Sequence, residues 1–368
     1  MMRVTHPGGS QTQLVQCAGP ILFMDKIARY SEQDRADLFN EVSNRRGDMS
    51  PILVEKDFWV CWTLRKIFSM KKFSEQLVFK GGTSLSKVYD VIERFSEDID
   101  LSFDRRIFGL KGSNDLTNEL SRKQKDKRIK ALRKDCINKI HNEFLPDMRE
   151  AILESLKIGL SEDTWSLEIS DLDQATLMFR YPKSRIASGK EPYVHPLIKL
   201  EMGARGERWP QHSGTVTSYA AAEFPELFDD PVCTVNVLAA ERTFWEKVTI
   251  LHAHAQQFES KGFKTHQSRH YYDVFKLYHN SIGDKAIKDL KLLGEVVEHN
   301  RIFFQDKPLK FDEPVPGSLK LVPPDLLKKE LIKDYAEMKD EMIFGEAPSM
   351  DQIFQVLSDI ENKVNGSV

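Results

Sequence analysis

One stretch constrains the fold more than any other, LVFKGGTSLSKVYDVIERFSEDIDLSF at residues 77–103. A short apolar run ends in Gly-Gly-Thr-Ser, and a segment of mixed polar and apolar residues follows. A second apolar run then carries Asp98 and Asp100. This order predicts a strand, a glycine turn that opens a helix, and another strand. Alternate side chains of a strand share one face, so Asp98 and Asp100 would project together while Ile99 enters the core.

Two carboxylates one strand period apart repel each other, and a cation between them removes that cost. Magnesium suits such a pair, because it accepts one or two carboxylates and leaves positions for phosphate oxygens. Glu201 alternates with Ile198 and Leu200 in the later run HPLIKLEMG, which puts it on the polar face of its own strand. We therefore expect Asp98, Asp100 and Glu201 to hold one or two Mg²⁺ for phosphoryl or nucleotidyl transfer.

The glycine turn has the composition of an anion-binding site. Backbone N–H groups at the start of a helix attract phosphate, and we expect such a cradle at Gly81, Gly82, Thr83 and Ser84. The turn lacks the spacing of a Walker A loop, and the chain lacks the G-x-S-x-G elbow of a serine hydrolase. The glycine turn and the paired acids together indicate a nucleotide site more strongly than either does alone.

Composition excludes several protein classes. The 368 residues are 40% hydrophobic and 30% charged, as in an ordinary globular protein, and no apolar run is long enough for a membrane span, so we expect a cytoplasmic protein with no membrane partner. The four widely spaced cysteines indicate neither a zinc site nor a disulfide framework, and we expect them reduced and mostly buried. A net charge of −3 means that nucleic-acid binding would need a local basic patch.

The pattern of elements predicts an α/β (α+β) chain in three parts. Residues 1–50 would form an arm and a helix, residues 51–235 a core with a mixed sheet, and residues 236–368 a helical domain. We expect helices at Met24 to about Asn44, from Pro51 onward, and at Gly81 to Ile92. Strands are expected at Gln76 to Lys80 and Asp98 to Phe103, followed by a three-stranded meander in WSLEISDL, ATLMFRYP and VHPLIKLEMG.

One segment supplies the local basic patch. The sequence ELSRKQKDKRIKALRKD at 119–135 has eight basic residues and three acidic ones. It is interpreted either as a solvated helix or as a surface that contacts an RNA backbone, and the sequence leaves both open. The possible RNA contacts are Arg122, Lys123, Lys127, Arg128 and, beyond the segment, Arg205.

The chain resembles the AbiEii/AbiGii-type toxin family of nucleotidyltransferases, in the DNA polymerase β-like superfamily. The resemblance rests on VEKDFWVCWTLRKIF, FKGGTSLSKVYDVIERFSEDIDLSF, HPLIKLEMGARG, AERTFWEKVTILHAHA and RHYYDVFKL, which occur in the family's order over most of the chain. It implies a polymerase β-like nucleotidyltransferase core that uses an NTP. It also implies a tRNA 3′ end as acceptor, a block of translation, and an antitoxin encoded nearby whose direct binding stays open.

The resemblance also implies roles for single residues. Ser96 would lie beside the nucleotide phosphates, next to the metal-binding Asp98 and Asp100, and Lys247 would bind the triphosphate. Asp273 would be needed for activity, through nucleotide or metal positioning. From the residues alone, Lys247 is expected at the surface, and Asp273 is expected to pair with Arg269 four residues earlier. The role of His270 stays open.

The leading hypothesis is a metal-dependent nucleotidyltransferase toxin. One alternative is transfer to a protein or a small molecule, since the sequence does not identify the acceptor. The other is a non-catalytic nucleotide-binding regulator, against which the presence of Asp98, Asp100 and Glu201 argues.

Overall fold

The computed structural model describes residues 24–117, 120–186, 196–304 and 313–366. These residues form a mixed α/β fold with one seven-stranded sheet and a helical C-terminal region, so the predicted fold class is confirmed. The arm predicted before Met24 lies outside the described residues. Within the described ranges, none of the helices combines the length and the apolar character that crossing a bilayer requires.

The strands are β1 (Leu77–Lys80), β2 (Ile99–Phe103), β3 (Ser166–Ile169), β4 (Thr176–Arg180), β5 (Leu197–Gly203), β6 (Gln211–Thr217) and β7 (Val232–Leu238). The first helices are α1 (Met24–Ala28), α2 (Glu32–Arg46), α3 (Pro51–Ser69), α4 (Lys71–Ser74), α5 (Gly81–Lys87), α6 (Arg122–Lys139) and α7 (Leu145–Leu156). The later helices are α8 (Tyr219–Glu223), α9 (Ala240–Lys261), α10 (Ser268–Tyr278), α11 (Ser281–Lys288), α12 (Leu290–Phe303), α13 (Asp325–Met342) and α14 (Met350–Asn365).

The sheet has the order β3-β4-β5-β2-β1-β7-β6. The pairs β2–β5 and β1–β7 are parallel, and the other neighbours are antiparallel. The predicted meander is present as β3, β4 and β5. Strands β6 and β7 were not predicted, although the sequence of β7 alternates in the manner of a half-buried strand, with Cys233, Val235 and Val237 buried.

Helix α3 covers the apolar face of the sheet. Pro51 is at its first position, where the missing N–H costs nothing, and its tryptophans face the strands. Trp62 stacks on Phe179 of β4 with ring centroids 5.9 Å apart, and Trp59 stacks on Tyr181 at 5.5 Å. Both tryptophans are fully buried. With this face filled by α3, the polar side chains of the strands are left on the opposite face.

The apolar core forms two clusters. One joins α1 to α3, the sheet and the helices α6 and α7. The other joins the helices from α9 to α14, together with Leu85, Val91 and Ile92 from the segment between β1 and β2. The division of the chain at residues 50 and 235 stays a prediction.

Three element boundaries differ from those predicted. The helix expected from Met24 is two helices, α1 and α2, and the side chain of Ser31 caps the second by accepting from the Asp34 backbone N–H. The helix that follows β1 begins directly at Gly81 and ends at Lys87, short of Ile92. Asp98 precedes β2, whose first residue is Ile99, so only Asp100 of the two aspartates lies within the strand.

A buried ion pair fixes α5 against α3. Lys87 Nζ lies 2.6 Å from Asp57 Oδ1, and the backbone N–H of Tyr219 donates to the other oxygen of Asp57 at 2.7 Å. The Lys87 ammonium also lies 3.8 Å from the centre of the Tyr219 ring. Burial alone would lower the pKa of Lys87, but the Asp57 carboxylate reverses the effect and the pKa is raised. Because α5 begins at the glycine turn, this pair also holds that turn in place.

We predict that Asp57→Ala destabilises the fold by about 3–5 kcal/mol, because it leaves the Lys87 ammonium buried without its counter-ion. The free energy of unfolding, measured by denaturant titration, checks this. Glu41→Ala is the matched control, since it removes an exposed pair with Arg45 and should cost about 0.5 kcal/mol or less. Equal, small losses for both variants would contradict the role given to the buried pair.

Candidate active site

The strand register brings four polar side chains into one row across the sheet. Asp100 of β2 is paired with Lys80 of β1 on one side and with Glu201 of β5 on the other. Glu201 is in turn paired with Thr176 of β4. Directly paired residues lie on the same face of a sheet, so Asp100 and Glu201 are side by side on the face opposite α3. Two of the three predicted acids are thereby brought together.

Asp98 lies just before β2 and is half-buried. Its Oδ1 atom is buried and has no hydrogen-bond partner among the described residues. Burial raises the pKa of Asp98, and the charges of Glu97 and Asp100 raise it further against the opposing effect of Lys199 and Arg269. The ionised form of Asp98 is therefore unfavourable unless a further positive charge is supplied.

Glu201 lies in a similar electrostatic environment. Burial by the surrounding protein raises its pKa, and the negative charges of Asp100 and Asp98 add to the effect. The cations Lys199 and Arg269 oppose it. A glutamate whose pKa is raised is a stronger base than an ordinary one and is better suited to accept a proton.

The two glycines after β1 allow close approach to these acids. Gly81 has a φ of +79°, and a Cβ at this position would lie 1.9 Å from Oδ2 of Asp100. A Cβ at Gly82 would lie 2.8 Å from both Nη2 of Arg94 and Oγ of Ser96. The backbone at these positions therefore runs directly past the Asp100 carboxylate and the Ser96 hydroxyl, which no larger residue would permit.

The hydroxyls of Thr83 and Ser84 have structural partners. Thr83 Oγ1 donates to the backbone carbonyl of Asp98 at 2.5 Å and lies 3.0 Å from Ser96 Oγ. Ser84 Oγ donates to the carbonyl of Gly81 at 2.8 Å. Both residues are buried, so their side chains hold the turn and the segment before β2 together.

A buried charge cluster joins three separate parts of the chain. Arg94, in the segment between α5 and β2, binds Asp273 of α10 through Nε and Nη2, each at 2.7 Å from a carboxylate oxygen. Lys247 of α9 lies 2.8 Å from Oδ2 of the same carboxylate. All three residues are buried. The expectation that Lys247 lies at the surface is wrong, because the packing of α9 against α10 encloses it.

This cluster also replaces the expected pair between Asp273 and Arg269. Burial alone would raise the pKa of Asp273, but Arg94 and Lys247 reverse the effect and hold it far below its ordinary value. Both carboxylate oxygens are engaged by these cations. Two cations share one anion, so the cluster carries an excess positive charge. Asp273 therefore orients cations and is not available as a metal ligand in this arrangement.

Several charged residues that contribute to the site were not predicted. Arg269 is exposed and lies close enough to Asp98 and Glu201 to lower the pKa of both. Lys199 does the same from β5, two residues before Glu201. Lys56 of α3 is buried and forms an ion pair with Glu97, next to Asp98. The spacing of Lys199 from Glu201 is a signal that the sequence offered, whereas nothing local indicates Arg94.

His270 is next to the charge cluster. Burial lowers its pKa well below the ordinary value, and the neighbouring Lys247 and Arg269 lower it further. Its Nδ1 atom is buried without a partner among the described residues. His270 is therefore neutral at physiological pH and adds no charge to the cluster.

The row of polar residues opens into a cleft of about 320 Å³. Its lining includes Asp100, Glu201, Lys80, Arg133 of α6 and Arg205. The basic helix predicted near residues 119–135 is present as α6, and its inner side borders this cleft. The proposed RNA-contacting residues Arg122, Lys123, Lys127 and Arg205 are exposed, whereas Arg128 is half-buried and donates to the backbone carbonyl of Asp115 at 2.7 Å.

The acids meet some of the requirements of a magnesium site. The unpartnered Oδ1 of Asp98 and the adjacent carboxylates of Asp100 and Glu201 are hard oxygen donors, which Mg²⁺ prefers. Within the described ranges, however, no group of three or more histidine, cysteine or acidic residues is arranged to hold a metal by itself. The residues therefore fit a metal whose coordination is completed by oxygens of a substrate.

Comparisons with known proteins identify a family. The family model described as nucleotidyl transferase AbiEii toxin, type IV TA system, matches residues 62–356. Among solved structures, the chain is similar to MenT4, nucleotidyltransferase toxin Rv2826c from Mycobacterium tuberculosis H37Rv, with 15% identity and a TM-score of 0.40. That match covers 89% of this chain and 97% of the other. The search of curated proteins found no match.

We predict that Asp98→Asn raises the melting temperature of the metal-free protein at pH 7–8. The folded-state pKa of Asp98 is raised above the ordinary 3.8, so ionisation costs stability as the pH rises through that raised value. Below the ordinary value no cost exists, and the gain from the substitution should disappear. Thermal unfolding with EDTA at several pH values measures this. Asp171→Asn, at an exposed position, is the control and should have no effect at either pH.

Proposed function

The chain belongs to the AbiEii nucleotidyltransferase toxin family of type IV toxin–antitoxin systems. On this premise, we propose that it transfers a nucleotide from an NTP to the 3′ end of tRNA and thereby blocks translation. Membership implies an NTP as substrate and an antitoxin as the partner in the system. The observation that carries the proposal is the adjacency of Asp100 and Glu201, with Asp98 beside them, next to the glycine turn.

Asp98 and Asp100 would hold one or two Mg²⁺, with Glu201 as the third acid. The buried, unpartnered oxygen of Asp98 and the raised pKa of both Asp98 and Glu201 support this, since each indicates that a positive charge would be favourable there. When bound, Mg²⁺ would neutralise phosphate charge and make the attacking hydroxyl more acidic. The protein's own contribution is to hold these acids in fixed positions along β2 and β5.

The reaction is an in-line displacement at the α-phosphorus of the NTP. The oxygen of the acceptor hydroxyl forms a bond to the α-phosphorus, and the bond from that phosphorus to the bridging oxygen of the β-phosphate breaks. Pyrophosphate leaves with the electron pair of that bond. The hydroxyl proton would pass to Glu201, whose exposed side chain lines the cleft, and then to solvent.

The triphosphate would lie between the glycine turn and the buried charge cluster. The backbone at Gly81 and Gly82 runs against the Asp100 carboxylate and the Arg94 and Ser96 side chains, so a triphosphate held at the acids would lie beside the turn. The cluster of Arg94, Lys247 and Asp273 supplies an excess positive charge behind the turn. Asp273 then acts by orienting Lys247 and Arg94, which is how its removal would reduce activity.

The acceptor RNA would lie along α6 and the β5–β6 connection. Arg122, Lys123 and Lys127 expose their charges on α6, which borders the cleft, and Arg205 exposes its guanidinium within the cleft lining. Lysine and arginine side chains in such a position bind the phosphate backbone without selecting a base sequence. Arg205 and Glu201 line the same cleft, which supports an RNA end as the acceptor.

We predict that Asp98→Asn lowers kcat/KM for nucleotide transfer by about 10³-fold or more, because the charge that positions the reacting phosphate is lost. The assay uses each labelled NTP with purified tRNA, total RNA and protein, and asks which band acquires label. Asp171→Asn should retain activity. Expression of the wild-type chain should arrest growth and Asp98→Asn should relieve the arrest. Full transfer by Asp98→Asn would overturn the mechanism, and label in protein but not RNA would overturn the acceptor.

We further predict that the double variant Lys123→Glu and Lys127→Glu weakens binding of all tRNAs and leaves the KM for NTP unchanged. Two lost phosphate contacts should reduce the slope of log affinity against log salt by about 2. Filter binding at several salt concentrations measures the slope. Lys285→Glu with Lys288→Glu, on α11, is the matched control and should leave it unchanged. An unaltered slope in the α6 variant would identify α6 as a solvated helix only.

A further inference from the structure

A second cavity adjoins the cleft and has no part in the mechanism above. It measures about 460 Å³, within the usual range of small-ligand pockets, and lies between α9 and α12. Thr249 and Ile250 of α9 line one side, and Val297 and Asn300 of α12 line the other. The side chain of Asn300 donates to Thr249 Oγ1 at 3.1 Å, which ties the two helices together across the cavity wall.

The cavity and the acidic cleft share part of their walls. Lys80, Gly206 and Phe304 line both. Lys80 is the strand partner of Asp100, so the shared wall lies directly beside the Asp100 carboxylate. A Cβ at Gly206 would lie 3.0 Å from Ser102 Oγ and 3.3 Å from Lys80 Cε, so the glycine keeps the backbone close to Lys80. A ligand at the acids can therefore extend into the cavity past Lys80.

The shared wall offers a surface for stacking. Phe304 leaves 49% of its surface exposed, which is unusual for phenylalanine next to a binding cleft. The Arg205 guanidinium lies 5.3 Å from the centre of its ring. The ring centroid of His299 lies 5.8 Å from that of Phe304. An exposed aromatic ring beside an arginine is the arrangement on which nucleic-acid bases stack.

The lining of the cavity includes a buried histidine. His299 is more than nine-tenths buried and lines this cavity, and its Nε2 atom has no hydrogen-bond partner among the described residues. Burial lowers the pKa of His299 to about 4, and the charges of Arg242 and Arg105 oppose the raising effect of Glu207. The ring is therefore neutral at physiological pH and adds no charge to the wall of the cavity.

We propose that this cavity binds a nucleobase, which stacks on Phe304 while its sugar and phosphate extend past Lys80 to the acids. The inference rests on the proposed nucleotidyl transfer, because that reaction brings two nucleotides to the cleft. One source of the base is the terminal nucleotide of the acceptor RNA, and the other is the incoming NTP. The stacking surface on Phe304 is common to both.

Equilibrium binding tests the proposal without any turnover. The full chain is titrated at fixed salt and Mg²⁺ with two pairs of probes that differ only in a base. The first pair is a short single-stranded RNA and the same RNA with an abasic 3′-terminal residue. The second pair is an NTP and ribose 5-triphosphate. Removal of the base should weaken binding by about 5- to 150-fold in one of the two pairs, as expected for one stacked base.

Variants then assign the effect to the cavity. Phe304→Ala should weaken the affected intact probe to the level of its baseless partner and leave the baseless probe unchanged. Phe304→Tyr keeps the ring and should bind as the wild type does. Ile332→Ala, which removes a side chain with a similar exposure of 48% on α13, is the control and should change nothing. A weakened RNA probe identifies the acceptor as the source of the base, and a weakened NTP identifies the substrate.

Two results separate this proposal from the proposed function. If Phe304→Ala binds both intact probes as tightly as the wild type, the nucleobase pocket is overturned even when transfer activity is normal. If base-dependent binding is lost in Phe304→Ala but the wild type transfers no nucleotide to RNA, the pocket stands and the proposed acceptor fails. Thermal unfolding of each variant checks that the substitution at the half-exposed position 304 leaves the fold intact.

Discussion

The bidentate ion pair between Arg94 and Asp273, with Lys247 on the same carboxylate, is the interaction on which the site depends. It joins the segment before β2 to α9 and α10, so it fixes the helical region against the strand that carries Asp100. A buried carboxylate that lost either cation would leave uncompensated charge, at a cost of several kcal/mol. The cluster therefore sets both the geometry of the cleft and an excess of positive charge behind the glycine turn.

The acids of the site fall into two electrostatic groups with different uses. Asp98 and Glu201 have raised pKa values because the surrounding protein desolvates them next to other negative charges, and they are the groups that gain from a cation. Asp273 has a lowered pKa because two cations surround it, and it serves to hold those cations. Carboxylates whose pKa values are shifted in opposite directions are common at active sites, where the local environment gives each carboxylate a different role. The nucleotidyltransferase activity of the family is consistent with it.

Much of the fold and part of the site could be predicted from local patterns. Alternation placed Glu201 on the polar face of its strand, and the register then put it next to Asp100. The helix expected from Pro51 onward is present as α3. Arg94 could not be predicted, since its partner lies 179 residues away and no local pattern marks a buried arginine. The burial of Lys247 could not be predicted for the same reason, because burial of a charged residue depends on tertiary pairing. Strands β6 and β7, which lie between a glycine-containing segment and the long run of helices, were not predicted.

The central claim is that the acids, the glycine turn and the buried cluster form one nucleotide site. A crystal structure of the full chain with Mg²⁺ and an NTP analogue that resists cleavage between the α- and β-phosphates tests it most directly. The account predicts the metal on Asp98 and Asp100, and the triphosphate against Gly81, Gly82 and Ser96 with Lys247 behind it. A triphosphate bound elsewhere, with Asp98 and Asp100 making no contact to metal or phosphate, would contradict it.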